Sequence, residues 1–238
     1  MKAFSRISCI VLLACAVIPA FGQYVYVRSN TNLPWGQTTN ESALDSVFGA
    51  GNWTTLYYET LDTVSLANLL SSSTQFIFLE GGDSSYSAFA TFMQTNGSSL
   101  TTWLYSGGRL LSMSAPNDPL NGATLYLADN IVLHADAFYG SAASSASAID
   151  ISNPIFWGPN STAFDFTGDF FSHGYFTGPQ VAPLMLSNLS EVVLGQDQLG
   201  SGLQVFGGMT TDNFHLPQPA AHALLENIIY YTAYTRLN

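Results

Sequence analysis

An alternation of strand-like and helix-like segments fills the first half of the sequence and constrains the fold more than any other feature. The clearest segment, residues 74–80, is a continuous apolar run of the kind that is buried on both faces of a sheet. Strand-like and helix-like patterns alternate around it, from residue 23 to residue 114. Strands separated by helices predict right-handed βαβ units and therefore a parallel sheet.

The pattern also predicts where the elements lie and how the chain is divided. Residues 117–200 differ from the rest, because short β-like pieces alternate there with Pro, Gly and Asn, and we interpret them as a β-rich insertion in a single domain of residues 23–238. We predict strands at 23–28, 53–58, 74–80, 109–114 and 203–209, and helices at 40–48, 62–70, 84–105 and 217–236, the third of them broken near Asn96 and Gly97.

The first 22 residues have the layout of a secretory signal. Lys2 and Arg6 precede an apolar stretch, and small residues lead to a cleavage site after Gly22. The apolar run is too short to span a bilayer, and no later segment is long and apolar enough. We therefore expect a secreted chain with no stable membrane insertion. A bacterial lipoprotein anchored at Cys15, or a periplasmic protein, is the alternative. Cys9 and Cys15 both lie in this segment, so the mature chain would have no disulfide.

The charge balance excludes some partners. Sixteen acidic residues face five Lys and Arg, giving a net charge of −11. Such an acidic chain is a poor ligand for nucleic acid, which requires a basic surface.

The sequence contains five Asn-x-Ser/Thr triplets, which begin at Asn40, Asn52, Asn96, Asn160 and Asn188. These triplets are glycan acceptors if the host is a eukaryote, and polar turns otherwise.

Several short motifs, in this order along the chain, carry a resemblance to a known family. They are residues 76–82 (FIFLEGG), 107–114 (GGRLLSMS), 153–159 (NPIFWGP) and 206–215 (FGGMTTDNFH). Together they resemble the class I glutamine amidotransferase-like superfamily, especially its trehalose-utilisation (ThuA-type) and related secreted branches. The resemblance implies an α/β, flavodoxin-like fold, with a mostly parallel sheet and helices on both faces.

The resemblance also implies roles for two residues. Ser114 occupies the nucleophile position that normally holds Cys, and His215 occupies the general-base position. The chain departs from the pattern after Ser114, since Pro116 stands where a nucleophile elbow requires a small residue and disfavours the helix that should follow. Asp212 and Glu226 are the candidate acids for orienting His215.

Candidate ligand-binding residues cluster at predicted strand ends and in an aromatic segment. Glu80, Gly81 and Gly82 follow the clearest strand, and Asp212 follows the last one. Residues 156–176 are rich in aromatic side chains, and Trp157 and His173 from this segment could bind a sugar ring. The alternative is a β-hairpin that turns near residues 167–168 and packs its rings onto the sheet. No cofactor motif or metal-ligand spacing occurs, so we expect neither.

These observations lead to two functional hypotheses. The first is a non-catalytic extracellular domain that binds carbohydrate or an extracellular protein at the carboxyl ends of the strands. The second is a hydrolase acting on a sugar-related or ester substrate, with Ser114 as nucleophile and His215 as base.

Overall fold

The structure is a computed structural model that describes residues 23–117, 124–136 and 143–237. The expected signal segment, residues 1–22, lies outside these ranges. The described helices are α1 (Thr39–Phe48), α2 (Thr63–Leu69), α3 (Tyr86–Tyr105) and α4 (Ala220–Tyr234). The described strands are β1 (Tyr24–Arg28), β2 (Trp53–Tyr57), β3 (Phe76–Glu80), β4 (Arg109–Met113), β5 (Thr124–Tyr126), β6 (Val132–Ala135), β7 (Ala143–Ala148), β8 (Asp165–Ser172), β9 (Gly174–Thr177), β10 (Ala182–Ser187), β11 (Val192–Leu199) and β12 (Gly202–Gly207).

One half of the sheet is parallel. Its strands lie in the order β2-β1-β3-β4-β12, and every neighbouring pair among them runs in the same direction. In the centre, Ile77 of β3 is opposite Leu110 of β4, and Leu111 is opposite Val205 of β12. All five residues of β3 are buried, as its continuous apolar sequence predicts. The predicted parallel adjacency of β3, β4 and β12 is confirmed.

The other half of the sheet is antiparallel. From β12 the order continues through β11, β10, β7 and β8, and a branch of β9, β6 and β5 leaves from β11. Every pairing in this half is antiparallel. Strands β5 to β11 come from the segment predicted to be a β-rich insertion, and they extend the same sheet.

The prediction of a flavodoxin-like, mostly parallel sheet with helices on both faces is therefore wrong. The described chain forms a mixed sheet of twelve strands with four helices. The physical reason lies in strands β5 to β11, which pair antiparallel with one another and join the parallel strands through β11 and β12. Antiparallel strands can be joined by short turns, whereas each parallel pair needs a crossover connection of a dozen or more residues.

Side chains alternate between two buried clusters on the parallel strands. Phe76 and Phe78 pack in the cluster that includes α1 and α4, while Ile77 and Leu79 pack in the cluster that includes α3. This alternation follows from the two-residue period of a strand. It fixes the register of β3, and therefore the position of Glu80 at its end.

Helix α3 is continuous, so the predicted break near Asn96 and Gly97 is wrong. The Asn96 side chain donates to the carbonyl of Phe92 within the helix. Phe89 precedes the expected break, Leu100 and Trp103 follow it, and all three side chains are buried. The burial of this stripe offsets the helix cost of one glycine, which is about 1 kcal/mol.

The aromatic segment does not form the predicted hairpin. Strand β8 pairs with β7, and β9 pairs with β6 and β11. Residues Thr167 and Gly168 lie within β8 and do not form a turn. The two strands separate where Phe170 adopts a left-handed conformation with φ of 59° and Ser172 forms a bridge to Met209.

None of the described helices combines the length and apolar character needed to cross a membrane.

Candidate functional site

A cleft lies at the carboxyl ends of the parallel strands. Glu80 ends β3, Met113 ends β4, and residues 209–212 follow β12. The cleft encloses a small cavity of about 30 Å³, and its far wall is the first half of α4. The polar and aromatic residues that line the cleft are Trp35, Asn40, Glu80, Thr210, Thr211, Asp212 and His215. Clefts at this edge of open α/β sheets are common ligand sites.

Glu80 is a buried carboxyl group with neutral hydrogen-bond partners. Its side chain accepts a hydrogen bond of 2.6 Å from the backbone N–H of Gly82 and one of 2.5 Å from the Asn40 amide. Burial raises the pKa of Glu80 to about 8, so the group holds a proton at neutral pH. A Cβ atom at Gly82 would lie 2.8 Å from the carboxyl oxygen, so a larger residue there would displace the Glu80 side chain.

Ser114 is completely buried and is bonded to the backbone. Its hydroxyl donates to the carbonyl of Gly81 over 3.2 Å, and its own N–H donates to the carbonyl of Gly207. A Cβ atom at Gly81 would lie 2.6 Å from the Phe89 ring and 2.9 Å from the Ser114 hydroxyl. The serine therefore ties the ends of β3, β4 and β12 together.

His215 belongs to a different hydrogen-bond network. Its Nε2 lies 2.9 Å from the Thr210 hydroxyl and 3.1 Å from the carbonyl oxygen of Phe171, and its ring packs on the Phe171 ring. Burial lowers the pKa of His215 to about 4, so the imidazole is neutral at neutral pH. In the part of the chain that the structure describes, no hydrogen bond joins His215 to Ser114.

The acids considered as partners of His215 contact another histidine. Asp212 lies 2.8 Å from Nδ1 of His222, and Glu226 lies 3.5 Å from Nε2 of the same ring. Glu226 also accepts a hydrogen bond from the Asn160 amide. Sequence reasoning missed His222, although its spacing of four residues from Glu226 on the predicted last helix was a usable signal.

Trp35 is a second residue that sequence reasoning missed. It has a left-handed backbone with φ of 53°, which is uncommon outside glycine. Its ring centre lies 4.8 Å from that of His173 and 6.2 Å from that of Phe214. His173 also hydrogen bonds to the carbonyl of Pro116 through Nδ1. His173 therefore packs behind Trp35, which lines the cleft.

Trp157 lies elsewhere on the molecule. Its side chain is 56% exposed, and its indole N–H donates to the carbonyl of Ile151. Its ring packs on Phe164 at 5.5 Å. The structure thus brings Glu80, Asp212 and His215 of the predicted site into the cleft. It places Gly81, Gly82, Ser114 and His173 beside the cleft and leaves Trp157 out.

The five candidate glycan acceptors differ in exposure. Asn40 is 4% exposed and bound to Glu80, so its amide is engaged in the folded chain. The amides of Asn96 and Asn160 are bonded within the protein, to Phe92 and Glu226. Asn52 and Asn188 are exposed.

Comparisons with known proteins support the fold and leave the activity open. No family model and no curated protein sequence matches the chain. A protein described as a GMP synthase component from Thermoplasma acidophilum has a similar structure, with a TM-score of 0.52, 12% identity, and coverage of 87% of this chain and 92% of that chain. A cytoplasmic protein from Salmonella typhimurium also has a TM-score of 0.52, with 11% identity over 89% of this chain and 99% of that chain.

A ThuA-like protein from Parabacteroides merdae also matches, with a TM-score of 0.41, 12% identity and 90% coverage of both chains. At these identities the similarities concern the fold alone. The fold of this chain is similar to the folds of the Thermoplasma and Salmonella proteins over most of their length.

Proposed function

We propose that this chain is a secreted, non-catalytic member of the amidotransferase-like superfamily that binds carbohydrate or an extracellular protein in the cleft at the strand ends. The observation that carries the proposal is the separation of the two candidate catalytic groups. The Ser114 hydroxyl donates to a backbone carbonyl, while His215 bonds to Thr210 and Phe171. A serine nucleophile needs a base within hydrogen-bond reach to take its proton.

The composition of the chain supports the same proposal. The nucleophile position that the family resemblance assigns to Cys is Ser114, and Cys9 and Cys15 both precede residue 22. The neutral His215 is buried among Phe171, Thr210 and the backbone, which leaves it poorly placed to receive a proton from a substrate. The cleft itself keeps polar groups at its floor and apolar residues at its wall, as ligand sites commonly do.

A paired binding and activity assay tests this function. The secreted chain and its Ser114→Ala and His215→Ala variants are assayed on a panel of esters and glycosides and on a glycan array. We expect glycan binding by the parent and by Ser114→Ala, with no turnover by any of the three proteins. Turnover by the parent that either substitution abolishes would establish the hydrolase instead.

Secretion is tested separately from binding. Expression with the native leader should release a product whose first residue is Gln23, one residue before β1 begins. Mass spectrometry of the released chain gives this residue directly. Retention of residues 1–22 on the product would contradict the proposed signal.

A further inference from the structure

Strand β2 forms one edge of the sheet and carries none of the features that protect such an edge. Among the described residues it pairs only with β1, so no strand lies along its other side. Its residues, Trp53–Tyr57, include no charged residue and no proline, and they keep one continuous register with β1. Proteins protect an exposed edge with charges, prolines, bulges, short strands or a covering segment. The unprotected edge of β2 therefore points to a partner that covers it.

The other edges of the described sheet are protected. Strand β8 contains Asp165 and Asp169, its register with β7 is interrupted, and Leu216 forms a bridge to its Thr167. Strand β5 has only three residues. Within this sheet, β2 is thus the edge to which a further strand can be added. The addition of a strand to an exposed edge is a common mode of protein recognition.

The sequence of β2 suits pairing with a second copy of itself. In an antiparallel pair of two β2 strands centred on Thr55, Trp53 of one copy lies opposite Tyr57 of the other, and Thr54 lies opposite Leu56. Side chains alternate along a strand, so both aromatic pairs lie on the same face. Aromatic pairs and threonine pairs directly opposite one another stabilise antiparallel strands. The strand is therefore complementary to its own copy.

The charges beside β2 favour the same pairing. The indole N–H of Trp53 donates to Asp45 over 2.8 Å, and the guanidinium of Arg28 lies 5.1 Å from the centre of the Tyr57 ring. Because Trp53 of one copy would lie opposite Tyr57 of the other, Asp45 of each copy would approach Arg28 of the other copy. A two-fold axis makes this contact between opposite charges twice. A second copy supplies this match by symmetry, which an unrelated protein does not.

We propose that the chain forms a two-fold symmetric dimer in which two β2 strands pair antiparallel about Thr55 and join the two sheets into one. The pairing involves no residue that lines the cleft, so the inference goes beyond the proposed function and does not depend on it. A single pair of five-residue strands makes a small interface, of the class below about 1,200 Å². We therefore expect a weak dimer, with a dissociation constant on the order of 10–100 µM.

Sedimentation velocity over a range of concentrations tests the dimer. The full secreted chain is produced in a bacterial host that lacks N-glycosylation, so that Asn52, next to β2, carries no glycan. It is measured from about 5 µM to about 500 µM, a range that brackets the expected dissociation constant. We expect the average mass to rise from that of the monomer toward that of the dimer. A chain that stays monomeric at the highest concentration would overturn the inference.

Charge substitutions at Thr55 test the register. In the antiparallel pair Thr55 faces its own copy, so Thr55→Lys and Thr55→Asp each place two like charges opposite one another. Each variant alone should dimerise at least about tenfold more weakly than the parent. An equimolar mixture of the two should regain the dimer, because opposite charges then face each other. Thr95→Lys and Thr95→Asp, at an exposed position of α3, are the matched controls and should dimerise as the parent does.

The mixture also separates loss of the dimer from misfolding, since a variant that fails to fold cannot restore a dimer. Dimerisation of both Thr55 variants with the parental affinity would show that another surface forms the dimer and would overturn the inference. A mixture that stays monomeric while circular dichroism shows both variants folded would overturn the antiparallel pairing about Thr55. Binding or turnover at the cleft affects none of these outcomes, so the dimer and the proposed function are tested independently.

Discussion

At the scale of single residues, the cleft holds two buried ionisable side chains that are both neutral at neutral pH. Glu80 is protonated because burial raises its pKa, and the hydrogen bonds from Asn40 and the Gly82 backbone only partly offset this effect. His215 is deprotonated because it is buried against Phe171. Burial disfavours the charged form in each case, so the two groups change stability with pH in opposite directions, and their pH ranges overlap between 4.5 and 6.5.

Replacing Glu80 with glutamine should change how stability depends on pH. The folded-state pKa of about 8 lies above the ordinary value of 4.5, so the folded chain keeps a proton that the unfolded chain releases between these values. The contribution of Glu80 to the unfolding free energy should therefore fall by roughly 1.4 kcal/mol per pH unit as the pH rises through this window. Glu80→Gln cannot ionise, and its stability relative to the parent should rise with pH. Urea unfolding in one-unit steps measures the difference, and a flat difference would contradict the assignment.

Replacing His215 with glutamine should have the opposite effect. The pKa of about 4 in the folded chain lies below the ordinary 6.5, so the unfolded chain takes up a proton first as the pH falls. The contribution of His215 to the unfolding free energy should fall by roughly 1.4 kcal/mol per pH unit as the pH falls from 6.5 to 4. The stability of His215→Gln relative to the parent should thus rise as the pH falls. Equal pH profiles for the two proteins in urea unfolding would show that His215 is not buried in its neutral form.

At the scale of elements, β8 and the segment that carries His215 are held in close contact. Thr167 and Leu216 exchange two backbone hydrogen bonds beside Gly168. A Cβ atom at Gly168 would lie 2.4 Å from the carbonyl oxygen of Phe214. The position of His215 therefore depends on a glycine in a strand that belongs to the antiparallel half of the sheet.

A methyl group at Gly168 should force β8 away from the His215 segment. Overpacking of this kind costs about 1–3 kcal/mol. We expect Gly168→Ala to be destabilised by this amount in urea unfolding and to weaken ligand binding in the cleft. An alanine variant with parental stability and parental affinity would show that the two segments are not in contact.

An alanine at Gly97 provides the matched control and tests the continuity of α3. A Cβ atom there meets nothing within 4 Å. Alanine is favoured over glycine inside a helix by about 0.5–1 kcal/mol, so Gly97→Ala should stabilise the chain. Destabilisation of this variant in the same urea experiment would indicate that the helix is broken at Gly97.

Local patterns in the sequence identify most elements of the parallel half. The predicted strands and helices agree with β1 to β4, β12 and α1 to α4 to within about three residues at each end. Apolar periodicity and glycine stops are local signals, and they suffice for these elements. The continuity of α3 depends instead on the burial of apolar side chains before and after Gly97. A local sequence pattern does not show which side chains the tertiary fold will bury.

At the scale of the whole molecule, the topology of the sheet could be predicted only in part. The order β3-β4-β12 follows from the alternation of strands and helices together with the family resemblance. The pairing of β8 with β7, and of β9 with β6 and β11, is a choice among many short, similar strands. Short strands with weak alternation specify their partners poorly, and this explains why the mixed sheet was missed.

The candidate site was also predictable in part. Glu80, Asp212 and His215 end or follow predicted strands, so strand order alone brings them to one edge. Trp35, Asn40 and Thr211 enter the cleft through loops and a helix start whose positions depend on tertiary packing. The sequence marks Asn40 only as a glycan acceptor, because its bond to Glu80 joins residues that are forty positions apart.

Hydrogen–deuterium exchange with and without bound sugar tests most directly whether the ligand site lies at the carboxyl ends of the parallel strands. The experiment uses the full secreted chain and the sugar that binds most tightly on the glycan array. We predict slower exchange in residues 80–83 and 209–215 and unchanged exchange in the surface segment around Trp157. Slower exchange around Trp157, with no change at residues 80–83 and 209–215, would contradict the account.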